Sequence, residues 1–181
     1  MFGFKIFNDF GKAFFSLFFT ELWERFSYYG MNAILLLYMT YTIFNGGLGL
    51  PETLSISLVS LYGSFIYLST IFGGFIGDRL LNPYKSVLYA GVIIIFGHIT
   101  LSLLDDVYGL LIGLVLIMIG SGLLKPNITN IVGLIYEKKD YLRDQAFSLF
   151  YLAINVGAFI APFIVGYFGE TYDFHLGFLL A

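Results

Sequence analysis

Apolar blocks of about 20 residues recur along this chain, each long enough to cross a hydrocarbon layer roughly 30 Å thick. Strands of a membrane barrel would alternate with period two, and these blocks do not. The pattern calls for an all-α integral membrane bundle, because in lipid each backbone amide must find its partner within its own helix. Composition agrees. Of the 181 residues 59% are hydrophobic and only 12% charged, about half the charged share of soluble domains. Five spans are expected, Ala13 to Tyr41, Ile56 to Ile76, Ser86 to Leu104, Val107 to Ile135 and Ala146 to Phe168, and a sixth begins at Phe174.

Orientation follows from the basic residues, which favour cytoplasmic loops. Lys5 and Lys12 precede the first span, Arg79 and Lys85 separate the second from the third, and Lys138, Lys139 and Arg143 separate the fourth from the fifth. The opposite loops carry Glu52, then Asp105 and Asp106, then Glu170 and Asp173, with no Lys or Arg. A cytoplasmic N-terminus is expected. The net charge of −3 includes no basic patch that suggests nucleic acid. The opening MFGFKIFNDFGKAFF lacks the core and cleavage site of a signal peptide and is expected to form an interfacial helix. The absence of cysteine excludes disulfides, thiol catalysis and thiolate metal sites.

Four charges fall inside the spans: Glu21, Glu24 and Arg25 in ELWERFSYYG, and Lys125 in GSGLLKPNITNIVG. Facing lipid, they would cost on the order of 10 kcal/mol together. They must face inward or pair. Glu21, Glu24 and Arg25 lie at i, i+3 and i+4, one helix face, which continues through Tyr28 to Asn32 and draws one wall of a polar cavity. The four formal charges sum to zero, and protonating one glutamate leaves a net positive charge. Proton uptake is thus expected to weaken a bridge to Lys125. The other reading of the quartet is a buried ion-pair network that fixes helix register.

ELWERFSYYG resembles the E-x-x-E-R-F-x-Y-Y-G signature of the proton-dependent oligopeptide transporter family, within the major facilitator superfamily. FSLFYLAINVGAFIAP, Phe147 to Pro162, is similar to that family's F-Y-x-x-I-N-x-G motif on the fifth helix. GGFIGDRLLNPYK, Gly73 to Lys85, resembles the superfamily's loop between helices two and three. There Gly73 and Gly77 allow close helix approach, and Asp78 and Arg79 can bridge to neighbouring helix ends as a cytoplasmic latch. Asn82 stands where the superfamily usually has Gly, which predicts an altered turn.

The resemblance implies the N-terminal helix bundle of a symporter that moves di- and tripeptides with protons by alternating access, in the plasma membrane. It assigns proton coupling to Glu21, Glu24, Arg25 and Lys125. It places Arg25, Tyr29, Asn32, Tyr67, Lys125 and Asn155 at the peptide, and Gly73, Gly77, Asp78, Arg79 and Lys85 in the gating loop. No cofactor beyond the coupling proton is implied, and no motif points to an oligomeric state. Family members have two six-helix halves, so 1–181 is expected to be an incomplete N-terminal bundle whose C-terminal half is absent.

Asn32 departs from the family, which commonly carries Arg there for the peptide carboxylate. Asn cannot form the charged fork that Arg offers. Either Arg25 or Lys125 takes that role, or the substrate differs: nitrate, an amino acid or a peptide-like compound. A non-transporting, truncated membrane protein is a third reading. Pro126 and Pro162 permit kinks, and Ala153, Gly157 and Ala161 suit close helix packing. His98 stands alone on the third span as a polar interior residue. No nucleophile with its base, metal cluster or nucleotide loop is recognisable, which argues against an enzyme.

Overall fold

Capping side chains fix where three of the helices begin, after Asn82, Asp106 and Asp173. The structure is a computed structural model that describes residues 10–138 and 140–181, with the side chain of 140 left out. Its helices are α1 (Lys12–Thr40), α2 (Glu52–Arg79), α3 (Pro83–Leu103), α4 (Val107–Ile135), α5 (Asp140–Thr171) and α6 (Phe174–Leu180). Asp106 accepts from the Gly109 amide at 2.6 Å and starts α4, and Asp173 accepts from the His175 amide at 3.2 Å and starts α6. The interfacial helix expected at the N-terminus falls largely on residues 1–9, outside the described residues.

Asn82 explains the start of α3. Its backbone takes φ 83° and ψ 145°, a region that favours glycine, so Asn82 holds a glycine-like conformation at the turn. The Asn82 carboxamide oxygen accepts from the amides of Tyr84 at 2.9 Å and Lys85 at 3.3 Å. Those two cap bonds offset the strain, and Pro83 supplies the first helical residue at no cost in donors.

Four helices, α2, α3, α4 and most of α5, are long and apolar enough to cross a membrane. Helix α1 has comparable length, but Glu21, Glu24 and Arg25 interrupt its apolar run. It packs mainly on α5, while α4 packs on α3 and α2. Helix α4 is the most buried of the four apolar helices.

Small residues set the closest crossings. Gly73 of α2 lies against Gly122 of α4, where a Cβ would overlap the Gly122 backbone, and Gly77 lies against the Asn127 side chain. Asn127 donates to the Gly73 carbonyl at 3.0 Å and Ser69 to the Met118 carbonyl at 3.1 Å, so polar bonds lock the same crossing. Gly157 of α5 meets the α1 backbone at Leu22, as the small-residue pattern there leads one to expect. Large apolar side chains such as Phe65, Phe72, Phe96, Phe159 and Phe163 remain exposed. On a soluble protein that much open aromatic surface would drive aggregation; facing lipid or a second bundle, it has a place.

Candidate functional site

Helical spacing puts Glu21, Glu24 and Arg25 on one face of α1, and the helices packed around α1 bury all three to within 4–6% exposure. Arg25 pairs with both carboxylates. Its Nε donates to Glu24 Oε2 at 2.5 Å and lies 3.4 Å from Glu21 Oε1, and its Nη2 also contacts Glu24 Oε2. Ser121 of α4 donates to the second Glu24 oxygen, Oε1, at 2.9 Å. Glu24 is thus held at both oxygens. Glu21 is not: its buried Oε2 has no hydrogen-bond partner among the described residues.

Lys125 stands one turn beyond Ser121 on α4, and its surroundings differ from the expected bridge. Its ammonium lies 5.3 Å from the centre of the Tyr28 ring and 5.6 Å from that of Tyr67. Among the described residues no carboxylate comes within 4.0 Å of it. Two aromatic faces hold the cation by their negative quadrupoles and leave its N–H donors open to an anion. The Arg25 guanidinium lies 5.4 Å from the other partner of this arrangement, the Tyr28 ring. Tyr28 therefore links the two cations, a role its position on the charged face hinted at but no motif assigned.

The remaining expected peptide contacts differ in exposure and in what they touch. Tyr67 is 71% exposed and joins the Lys125 cage, whereas Tyr29, 39% exposed, reaches it only through ring contact with Tyr28 at 5.2 Å. Asn155 is exposed on α5, and its amide donates to the Tyr151 carbonyl at 2.8 Å. Asn32 is half-buried and donates to the Tyr28 carbonyl at 2.7 Å, so one of its donors is spent within α1. In the loop between α2 and α3, Asp78 accepts weakly from Asn130 of α4 at 3.4 Å, while Arg79 and Lys85 are exposed at the adjoining helix ends.

His98 proves to be a junction of three helices. Its Nδ1 lies 3.1 Å from the Phe178 carbonyl of α6, and its Nε2 lies 2.5 Å from Ser27 Oγ of α1. A carbonyl can only accept, so Nδ1 carries the proton and Nε2 accepts from the Ser27 hydroxyl. Glu24, Ser27 and His98 also line a cavity of about 500 Å³ between α1, α3 and α6, whose outer wall includes Trp23, Ile95 and Ile99. Near the far end of the bundle, His175 of α6 lies 2.9 Å from the Leu101 carbonyl and 3.1 Å from Asp105, a contact no sequence pattern signalled.

Helices of membrane length thus surround a buried cluster of Glu21, Glu24 and Arg25, with Lys125 set beside it between two tyrosine rings. Residues 84–181 match the POT family. The chain is 49% identical over 168 residues to a di-/tripeptide transporter of Lactococcus lactis subsp. lactis, covering 92% of this chain and 34% of that protein. It is also 49% identical over 167 residues to the uncharacterized transporter YclF of Bacillus subtilis, again 92% and 34%. Among solved structures, a mutant of the peptide transporter POT in complex with alafosfalin superposes with TM-score 0.90 at 51% identity, covering 92% of this chain and 34% of that one. A POT family transporter in complex with 5-aminolevulinic acid gives TM-score 0.90 at 47% identity, covering 93% and 35%. The chain belongs to the POT family and is a membrane protein. It spans about a third of the length of these relatives.

Proposed function

We propose that this chain supplies the N-terminal bundle of a plasma-membrane symporter that carries di- and tripeptides with protons by alternating access, its N-terminus cytoplasmic. A second bundle in the complete protein closes the open side on which Tyr67 and Asn155 stand. The observation that carries this reading is the cluster in which Arg25 pairs with Glu21 and Glu24 while Lys125 waits on two tyrosine rings. With both glutamates ionised the quartet is neutral. A proton on either one leaves an excess cation beside the open side, where a peptide carboxylate is then attracted. Proton and peptide thereby favour each other's binding, which is what coupling requires.

The departure from the expected bridge fits this reading well. Because no carboxylate of the described residues lies within 4.0 Å of Lys125, it can take the carboxylate role that Arg fills at position 32 elsewhere in the family. Phenol and amide groups at Tyr29, Tyr67 and Asn155 suit a peptide backbone whatever its side chains. The relative bound to 5-aminolevulinic acid supports a second reading, in which small amino-acid-like compounds share the site, since Asn32 adds no charge there.

In the complete protein, reconstituted in liposomes with an inward proton gradient, Glu21→Gln and Glu24→Gln are each expected to abolish accumulation of labelled dipeptide while sparing some counterflow exchange. Normal accumulation by both variants would remove the coupling assignment. Competition by unlabelled 5-aminolevulinic acid separates the substrate readings: a site for dipeptides alone leaves uptake unchanged.

A further inference from the structure

The surroundings of Ser121 give it a task beyond its contact with Glu24. Gly120 lies against α3, where a Cβ would run into Ile94 and come within 2.9 Å of the Ala90 carbonyl oxygen, and Gly122 lies against Ser69 of α2. Successive helix residues point about 100° apart. The Gly-Ser-Gly run therefore offers three consecutive directions to three helices, and the middle one meets α1. Both neighbours are immovable without a clash, so the Ser121 hydroxyl is held in fixed register with Glu24.

Its bonding is also unusual for this chain. Ser16, Ser57, Ser64 and Ser148 all donate to the carbonyl four residues earlier in their own helix, the ordinary outlet for a helical serine. Ser121, 1% exposed, instead donates to a buried carboxylate 97 positions away in sequence. One turn from Ser121 on α4, the long Lys125 side chain reaches the ring of Tyr28 of α1, although the two helices run in opposite directions. Two contacts thus join α4 to α1 here, Ser121 with Glu24 and Lys125 with Tyr28.

We propose that Ser121 is a positioning residue for the proton step, holding Glu24 against α4 and passing its change of charge to Lys125. A hydroxyl suits this task because it donates to a carboxylate and accepts from a carboxylic acid. The contact survives protonation while its direction reverses, and α4 feels the reversal one turn from the peptide-facing cation. The inference rests on the proton-coupled reading above and names a residue that reading does not require.

The test uses the complete protein in liposomes. Ser121→Ala lowers the initial rate of proton-driven dipeptide uptake about tenfold, the scale of one lost hydrogen bond to a charged group. Ser121→Thr, which keeps the hydroxyl, restores most of that rate. Counterflow exchange by Glu24→Gln and by the Glu24→Gln, Ser121→Ala double variant agrees within about twofold, because the charge that Ser121 serves is already gone. Uptake by Ser121→Ala within twofold of wild type would overturn the inference. So would an exchange rate in the double variant that falls as far as uptake fell in the single one, since Ser121 would then be packing alone. Failure of the coupling reading itself has a different signature, normal accumulation by Glu21→Gln and Glu24→Gln.

Discussion

The charged cluster of Glu21, Glu24 and Arg25 and the neutral cluster of Ser27 and His98 hang from the same two turns of α1, and both are buried. They are completed differently. At His98 each ring nitrogen has one partner, Ser27 Oγ or the Phe178 carbonyl, and the tautomer is fixed by the chemistry of those partners. Among the described residues of the charged cluster, Glu21 keeps a buried oxygen without a partner, and Lys125 has rings but no carboxylate within 4.0 Å. A fully satisfied network fixes how helices sit on one another; a partly satisfied one retains capacity to take a proton or an anion. On this comparison His98 is the joint and the charged cluster is the proposed working part.

The strongest way to break the comparison is Arg25→Ala, which leaves two buried carboxylates without their common cation. A loss of about 3–5 kcal/mol in unfolding free energy is expected, read as a sharp fall in thermal midpoint in detergent together with loss of transport. His98→Ala comes next. It opens a cavity and frees the Phe178 carbonyl, costing about 2–4 kcal/mol, but the accumulation ratio of whatever protein remains folded stays at the wild-type value. A changed ratio in that variant would place His98 on the proton path and erase the contrast.

Smaller effects sharpen the same contrast. Tyr67→Leu removes one face of the Lys125 cage from an exposed position, so KM for dipeptide rises about two- to fivefold with no change in thermal stability. Tyr67→Phe, which keeps the ring, isolates the contribution of the phenol hydroxyl. Asn82→Ala lies far from either cluster and costs about 1–2 kcal/mol, through lost cap bonds and a strained positive φ. Asn82→Gly trades the cap for relief of strain and stays within about 1 kcal/mol of wild type, as measured by thermal unfolding.

The order and rough extent of the helices were legible because lipid demands long apolar runs. Their ends were not, since helices continue past the apolar run wherever caps permit. Helix α2 begins at Glu52, right after Pro51, and reaches Arg79, and α5 extends into the polar Asp140–Gln145 turn and a half before its apolar run. The charged face of α1 was legible from spacing alone, because i, i+3 and i+4 fix a face whatever surrounds it. What Lys125 touches was not. Its ring partners depend on how α4 crosses α1 and α2, which Gly73 and Gly122 decide by backbone contact. Ser121 and the two partners of His98 were hidden for the same reason: each bond joins residues 71 to 97 positions apart.

The central claim is that the charged cluster, and not the histidine joint beside it, couples proton movement to peptide. Dipeptide-induced acidification of liposomes that contain the complete protein and a trapped pH-sensitive dye tests it most directly. Wild type and Ser27→Ala, which loosens only the histidine joint, are expected to acidify the lumen when dipeptide is added outside, and Glu24→Gln is expected to leave lumenal pH unchanged. Acidification by Glu24→Gln at the wild-type rate, or its loss in Ser27→Ala alone, would contradict the account.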